Sequence, residues 1–73
     1  MNNKNLKNLR ADLVGELEAI NQYQEHIDEV YEEEIKKVLI HIMNDEKEHV
    51  VELTKLLQQV DATQKEKFEK EGL

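Results

Sequence analysis

The sequence predicts an all-α fold: an antiparallel helical hairpin with a short C-terminal helix, which must dimerise to complete a four-helix bundle. Three observations carry this. Apolar residues recur at steps of three and four along two long stretches. Proline is absent and glycine occurs only at Gly15 and Gly72, so little interrupts either stretch. The second stretch also carries more apolar surface than one partner helix can cover.

The first helix is expected from about residue 5 to 30. Its stripe reads Leu6, Leu9, Leu13, Glu16, Ile20, Tyr23, Ile27, Val30, the 3.5-residue mean of a helix seam. Tyr31-Glu32-Glu33-Glu34 extends neither stripe in register and reads as the turn of an αα-hairpin. The acids there also suit a solvated helix start, where the N-terminal dipole favours them. The second helix is expected from about 33 to 60, with the stripe Ile35, Leu39, Ile42, Glu46, His49, Leu53, Leu56, Val60 and a further line Met43, Val50, Leu57 beside it. Beyond Val60, Thr63 and Glu66 fit a capping box for a short helix from about 64 to 71, with Phe68 as its apolar contact. The whole of 1–73 reads as a single domain.

Size and charge narrow the function. A chain of 73 residues buries only about 60% of its unfolded surface, so its own core is marginal. It has no cysteine, which removes disulfides and thiolate metal sites as supports and leaves metal ligation or oligomerisation. Seventeen acids against ten bases give a net charge of −7, which disfavours nucleic acid and favours cations. No apolar run approaches the ~20 residues of a membrane span, and the polar N-terminus has no signal-peptide core. The expectation is a soluble cytoplasmic protein with neither membrane nor nucleic-acid partner.

Three seam positions break the apolar pattern: Glu16, Glu46 and His49. An unpaired buried carboxylate costs several kcal/mol, about what a marginal core can least absorb. A turn near residues 31–33 pairs positions whose numbers sum to about 62–66; Glu16 with Glu46 gives 62 and with His49 gives 65. All three therefore fall at one height across the seam, and Glu46 and His49 are one helical turn apart. The competing reading is that these are polar residues fixing the register of a coiled coil. Glu-x-x-His alone is a weak signal in a chain with 13 glutamates and three histidines; the shared register gives it weight.

Two carboxylates and one imidazole suit iron or manganese better than a thiolate-loving ion. One set leaves a metal under-coordinated. Two copies about a two-fold axis would supply a Glu from each of two helices and Glu-x-x-His from each of the other two, the di-iron carboxylate pattern. Other candidates have simpler readings. Tyr23 suits a core position with a polar tip, Glu18 a solvated face, and His26 and His41 the surface.

The segments Gly15-Glu16-Leu17-Glu18-Ala19-Ile20-Asn21-Gln22-Tyr23-Gln24 and Asn44-Asp45-Glu46-Lys47-Glu48-His49 resemble the two signature helices of encapsulated ferritins, and the similarity covers roughly residues 10–70. The resemblance implies half of a ferritin-like bundle and a ferroxidase centre between two subunits, with two iron ions per dimer interface held by Glu16, Glu46 and His49. It implies further assembly as a ring of dimers such as a decamer, and an encapsulin shell that stores the oxidised iron. It places Tyr23 near the centre, Glu18 at the mouth of the site as an acid that attracts metal, and His41 outside the centre. Gly15 stands where the family often has an acid, and Gln22 where it often has tryptophan. The family's C-terminal targeting extension has no match up to Gly72-Leu73. The implied function is Fe²⁺ oxidation for iron storage and detoxification, inside an encapsulin nanocompartment. The alternative is a non-catalytic, metal-stabilised helical oligomer or metal carrier.

Overall fold

A computed structural model describes residues 2–73. Three helices follow in order: α1 (Asn3–Glu29), α2 (Glu33–Val60) and α3 (Ala62–Lys70). The long pair forms the antiparallel hairpin and α3 packs back against α2. The all-α hairpin with a short third helix expected from the sequence is therefore the one observed.

Local chemistry explains each boundary. The Asn2 side chain caps α1 by accepting from the Asn5 N–H at 2.9 Å. Helix α1 ends as Val30 turns extended, with its N–H still bonded to the His26 carbonyl. Only Val30, Tyr31 and Glu32 lie between the two long helices. Glu33 and Glu34 become the first turn of α2, where their charge faces the positive end of the dipole.

The start of α3 differs from the sequence expectation. The cap is Asp61, not Thr63, so the helix begins at Ala62 and the Thr63–Glu66 box is not used. Asp61 Oδ1 accepts from the Gln64 N–H at 3.2 Å, and Oδ2 accepts from Arg10 of α1 at 3.0 Å. One carboxylate thus caps α3 and ties it to α1, a double role that a threonine hydroxyl could not fill. At the other end, Gly72 has φ +75°, its N–H bonds the Glu69 carbonyl, and the Leu73 N–H bonds the Phe68 carbonyl. This left-handed closure needs glycine's freedom.

The α1 stripe points inward along its whole length: seven of its positions are half-buried and Ile27 is buried. In α2 the strip facing α1 is rotated from the seam read in the sequence. Met43 and Leu57, on the line read as secondary, are buried, whereas Ile35, His49 and Leu56 are exposed. The helix has two apolar edges, and packing against a single partner covers the one centred on Met43, Val50 and Leu57. Leu13, Thr54, Leu57, Gln64 and Phe68 close an apolar gap of about 200 Å³ among the three helices. Among the described residues only Ile27, Met43 and Leu57 are buried core, and no side chain is fully enclosed. The molecule is a slab 46 × 28 × 14 Å, barely thicker than one layer of helices.

Candidate metal centre

Glu16 comes from the middle of α1, and Glu46 and His49 from successive turns of α2. Their heights match because the turn is short and the helices antiparallel. His49 Nδ1 lies 3.3 Å from Glu16 Oε2 and 3.6 Å from Glu46 Oε2. One ligating atom from each residue falls within 4.8 Å of the others, the one such trio among the described residues. The side chains of Glu16 and Glu46 are 25% and 20% exposed, whereas His49 is 47% exposed. The carboxylates are sunk into the hairpin and the imidazole forms its rim.

The three groups perturb one another. A hydrogen bond between the two carboxyl groups is the main cause that holds Glu16 below the usual carboxylate range, helped by His49. The same bond, reinforced by desolvation, pushes Glu46 above that range. His49 is raised, first by its hydrogen bond to Glu16 and then by the charge of both glutamates. Glu46 and His49 therefore retain protons more readily than isolated side chains would, whereas Glu16 gives its own up more readily, and the retained protons occupy positions a cation would take.

Glu16 and His49 open onto a groove of about 510 Å³ between α1 and α2, lined also by Asp12, Gly15, Glu52 and Leu56 among others. Asp12 lies one turn before Glu16 and Glu52 one turn after His49, so both acids face the same groove. The sequence reading did not single them out, because neither interrupts an apolar stripe; their spacing to the ligand set was the available signal. A Cβ built on Gly15 meets nothing within 4 Å, so the chain's own packing does not require glycine there.

The remaining candidates lie apart from the trio. Tyr23 is half-buried on the α1 seam, two turns or about 10 Å along the helix from Glu16. Glu18 is exposed on another face of α1. His41 is exposed on α2 and pairs with Asp45 at 3.6 Å. His26 is exposed near the end of α1.

Chemically, two hard carboxylate donors and one borderline imidazole, converging from two helices, fit a divalent first-row cation. No helix among the described residues is long and apolar enough to cross a membrane.

Comparison with known proteins agrees with the signature helices. The chain is 37% identical over 58 residues to the encapsulin nanocompartment cargo protein EncC of Myxococcus xanthus (strain DK1622). The match covers 80% of this chain and 45% of that protein, so the chain spans about half the length of its curated relative. No solved structure gives a significant match. The EncFtn-like family matches residues 1–71, nearly the full length and both helices that carry the trio, and the chain belongs to that family.

Proposed function

We propose that this chain is a single-domain subunit of a ferroxidase, which oxidises Fe²⁺ to Fe³⁺ at a di-iron centre shared between two copies, for iron storage and detoxification. The observation that carries this reading is the convergence of Glu16, Glu46 and His49 from two helices, their ligand atoms within 4.8 Å, in a chain of the EncFtn-like family. One trio supplies too few donors for a full coordination sphere, and its rim opens onto the groove. A second copy doubles the set to four carboxylates and two imidazoles, and the four negative charges match two Fe²⁺ ions.

In this reading Fe²⁺ is the substrate, and two ions held within about 4 Å of each other can act together on one oxidant such as dioxygen. The protein binds and orients. Glu16 and Glu46 contribute charge and oxygen donors, and His49 contributes a neutral donor once its proton has left. The apolar surroundings, Leu53 and Leu56 among them, limit water around the ligands. The relative's designation as encapsulin cargo supports association of the iron-loaded oligomer with an encapsulin shell in the cytoplasm. Assembly of the dimers into a ring such as a decamer belongs to the same reading. So do accessory roles for Tyr23 near the centre, for Glu18 at the mouth of the site and for His41 outside it.

The test is anaerobic addition of Fe²⁺ to the apo-protein followed by air, recording absorbance and native mass. Oxidation faster than buffer, with two irons per dimer, supports the centre; background-rate oxidation with no iron retained sinks it. The donor set alone also suits a bound, unreacting zinc ion, which gives the second reading, a metal carrier or metal-stabilised oligomer. Oxygen uptake that continues past two irons per dimer excludes that reading.

A further inference from the structure

The chain is poor in groups that an oxidant attacks readily. It has no cysteine and no tryptophan, two tyrosines, and two methionines, of which one is Met1. Met43 is therefore its one internal sulfur. It is 7% exposed, one of three buried residues among those described, and it lies on α2 three residues before Glu46. Side chains at that spacing are neighbours, with Cβ atoms about 5–6 Å apart. Helical side chains also lean toward the N-terminus, so Glu46 leans back toward the turn that carries Met43. The thioether is thus close to the trio and shielded from bulk solvent.

Packing alone does not call for sulfur at this position. Leu57, on the same line of α2, is buried to the same 7%, so an aliphatic side chain serves that strip equally well. What methionine adds is a soft, polarizable atom that accepts oxygen. The tyrosines are poorer targets, although Tyr23 is half-buried on α1 and Tyr31 is 93% exposed at the turn. A phenol yields its electrons one at a time, whereas a thioether takes up an oxygen atom in one step.

We infer that Met43 is an oxidation site supplied by the trio: hydrogen peroxide formed when iron is oxidised there transfers an oxygen atom to the Met43 sulfur. The inference rests on the ferroxidase reading and adds the fate of its by-product. Two Fe²⁺ ions give two electrons to dioxygen, which takes up two protons and leaves as hydrogen peroxide. A sulfur lone pair attacks one peroxide oxygen and the O–O bond breaks. The second oxygen departs as water, carrying the proton of the first. Sulfur is oxidised by two electrons to the sulfoxide, and the peroxide is reduced. The product places a polar oxygen in a core whose other buried members are Ile27 and Leu57, which loosens the hairpin. Met43 thereby limits how long a centre that leaks peroxide stays folded.

The test uses the intact chain and reads mass as well as activity. Apo-protein is loaded with Fe²⁺ under argon, exposed to air with catalase and free methionine present, and digested for peptide masses. The two additives consume peroxide that reaches the solvent, so Met43 is modified only by oxidant arising beside it. The expected result is one added oxygen on the Met43 peptide, several-fold above both the argon control and the His49→Ala chain. The oxidised protein should melt at least about 5 °C lower. Met43→Leu, close in volume, should oxidise iron at the wild-type initial rate and keep its activity through repeated additions that exhaust the wild type. Equal decay of the two chains overturns the limit assigned to Met43. Fast iron oxidation with Met43 unmodified overturns the inference and leaves the ferroxidase reading intact. So does modification that catalase and free methionine suppress, because the solvent is then the source. Iron oxidised no faster than in buffer overturns both.

Discussion

His49 Nδ1 stands 3.3 Å from Glu16 Oε2, a contact between residues 33 apart in sequence that joins the two long helices at mid-height. It is a contact of opposite charges when the ring is protonated and a pair of adjacent donors when it is not. The chemistry expected of the hairpin follows from which of these two states prevails.

Removing a ligand should abolish paired-iron binding. Glu46→Ala and His49→Ala are each expected to lower Fe²⁺ affinity on the order of 100-fold or more, since even groups behind the ligands are worth 10–100-fold. Ferroxidase rate and native mass after anaerobic loading check this, and either variant with wild-type oxidation removes its residue from the centre.

Proton competition gives a pH dependence with opposite signs for the apo and loaded forms. His49 is raised by Glu16, so in the apo chain its contact contributes stability that is fully present below the ordinary histidine value near 6.5. That contribution disappears as pH rises through the higher folded value. Metal ligation needs the neutral ring, so Fe²⁺ affinity should rise over the same window. Anaerobic titration calorimetry from about pH 6 to 8 should show tighter binding and net proton release. Affinity independent of pH would show that His49 does not ligate.

The Arg10–Asp61 contact should matter less than the cap. Asp61→Asn keeps an oxygen that can accept from Gln64 and loses only the ion pair, whereas Asp61→Ala loses both. Thermal unfolding is expected to fall in the order wild type, Asn variant, Ala variant. Asp61 is held below the usual carboxylate range, first by the Gln64 N–H and then by Arg10. Its contribution is therefore present above the ordinary aspartate value and fades as pH drops through the lower folded one. Equal losses in the two variants would show that the charge, not the cap, fixes α3.

Gly15→Ala should stabilise the isolated hairpin. The position is mid-helix and a Cβ there meets nothing within 4 Å, so the gain is about 0.5–1 kcal/mol from helix propensity and reduced chain entropy. A chain of this size would show it as a rise in Tm of about 2–8 °C. A fall in Tm would mean that the open space beside Gly15 is occupied in solution.

The hairpin was legible because both stripes keep their three-and-four spacing from end to end and the turn chemistry needs only three residues. The trio was legible for a complementary reason: each member replaces an apolar residue, so the interruption itself marked Glu16, Glu46 and His49. Periodicity gave less help in α2, where two apolar edges lie close enough that the sequence does not say which one α1 covers. Met43 and Leu57 are inside because one helix fills one edge, a fact of packing rather than of pattern. Asp61 escaped notice because its role depends on Arg10, which is 51 residues away. Asp12 and Glu52 were invisible because acids on a solvated face look alike until a groove gathers them.

A slab 14 Å thick with three buried residues among those described has almost no inside of its own. Such a chain is expected to be long-lived only once paired, and a newly made copy without a partner to be readily digested by proteases. If the centre is shared as proposed, pairing is second order in protein, and halving the amount of chain would cut the paired form by up to four-fold. Iron-handling capacity would then respond steeply to expression level, with no regulator beyond the thinness of the fold.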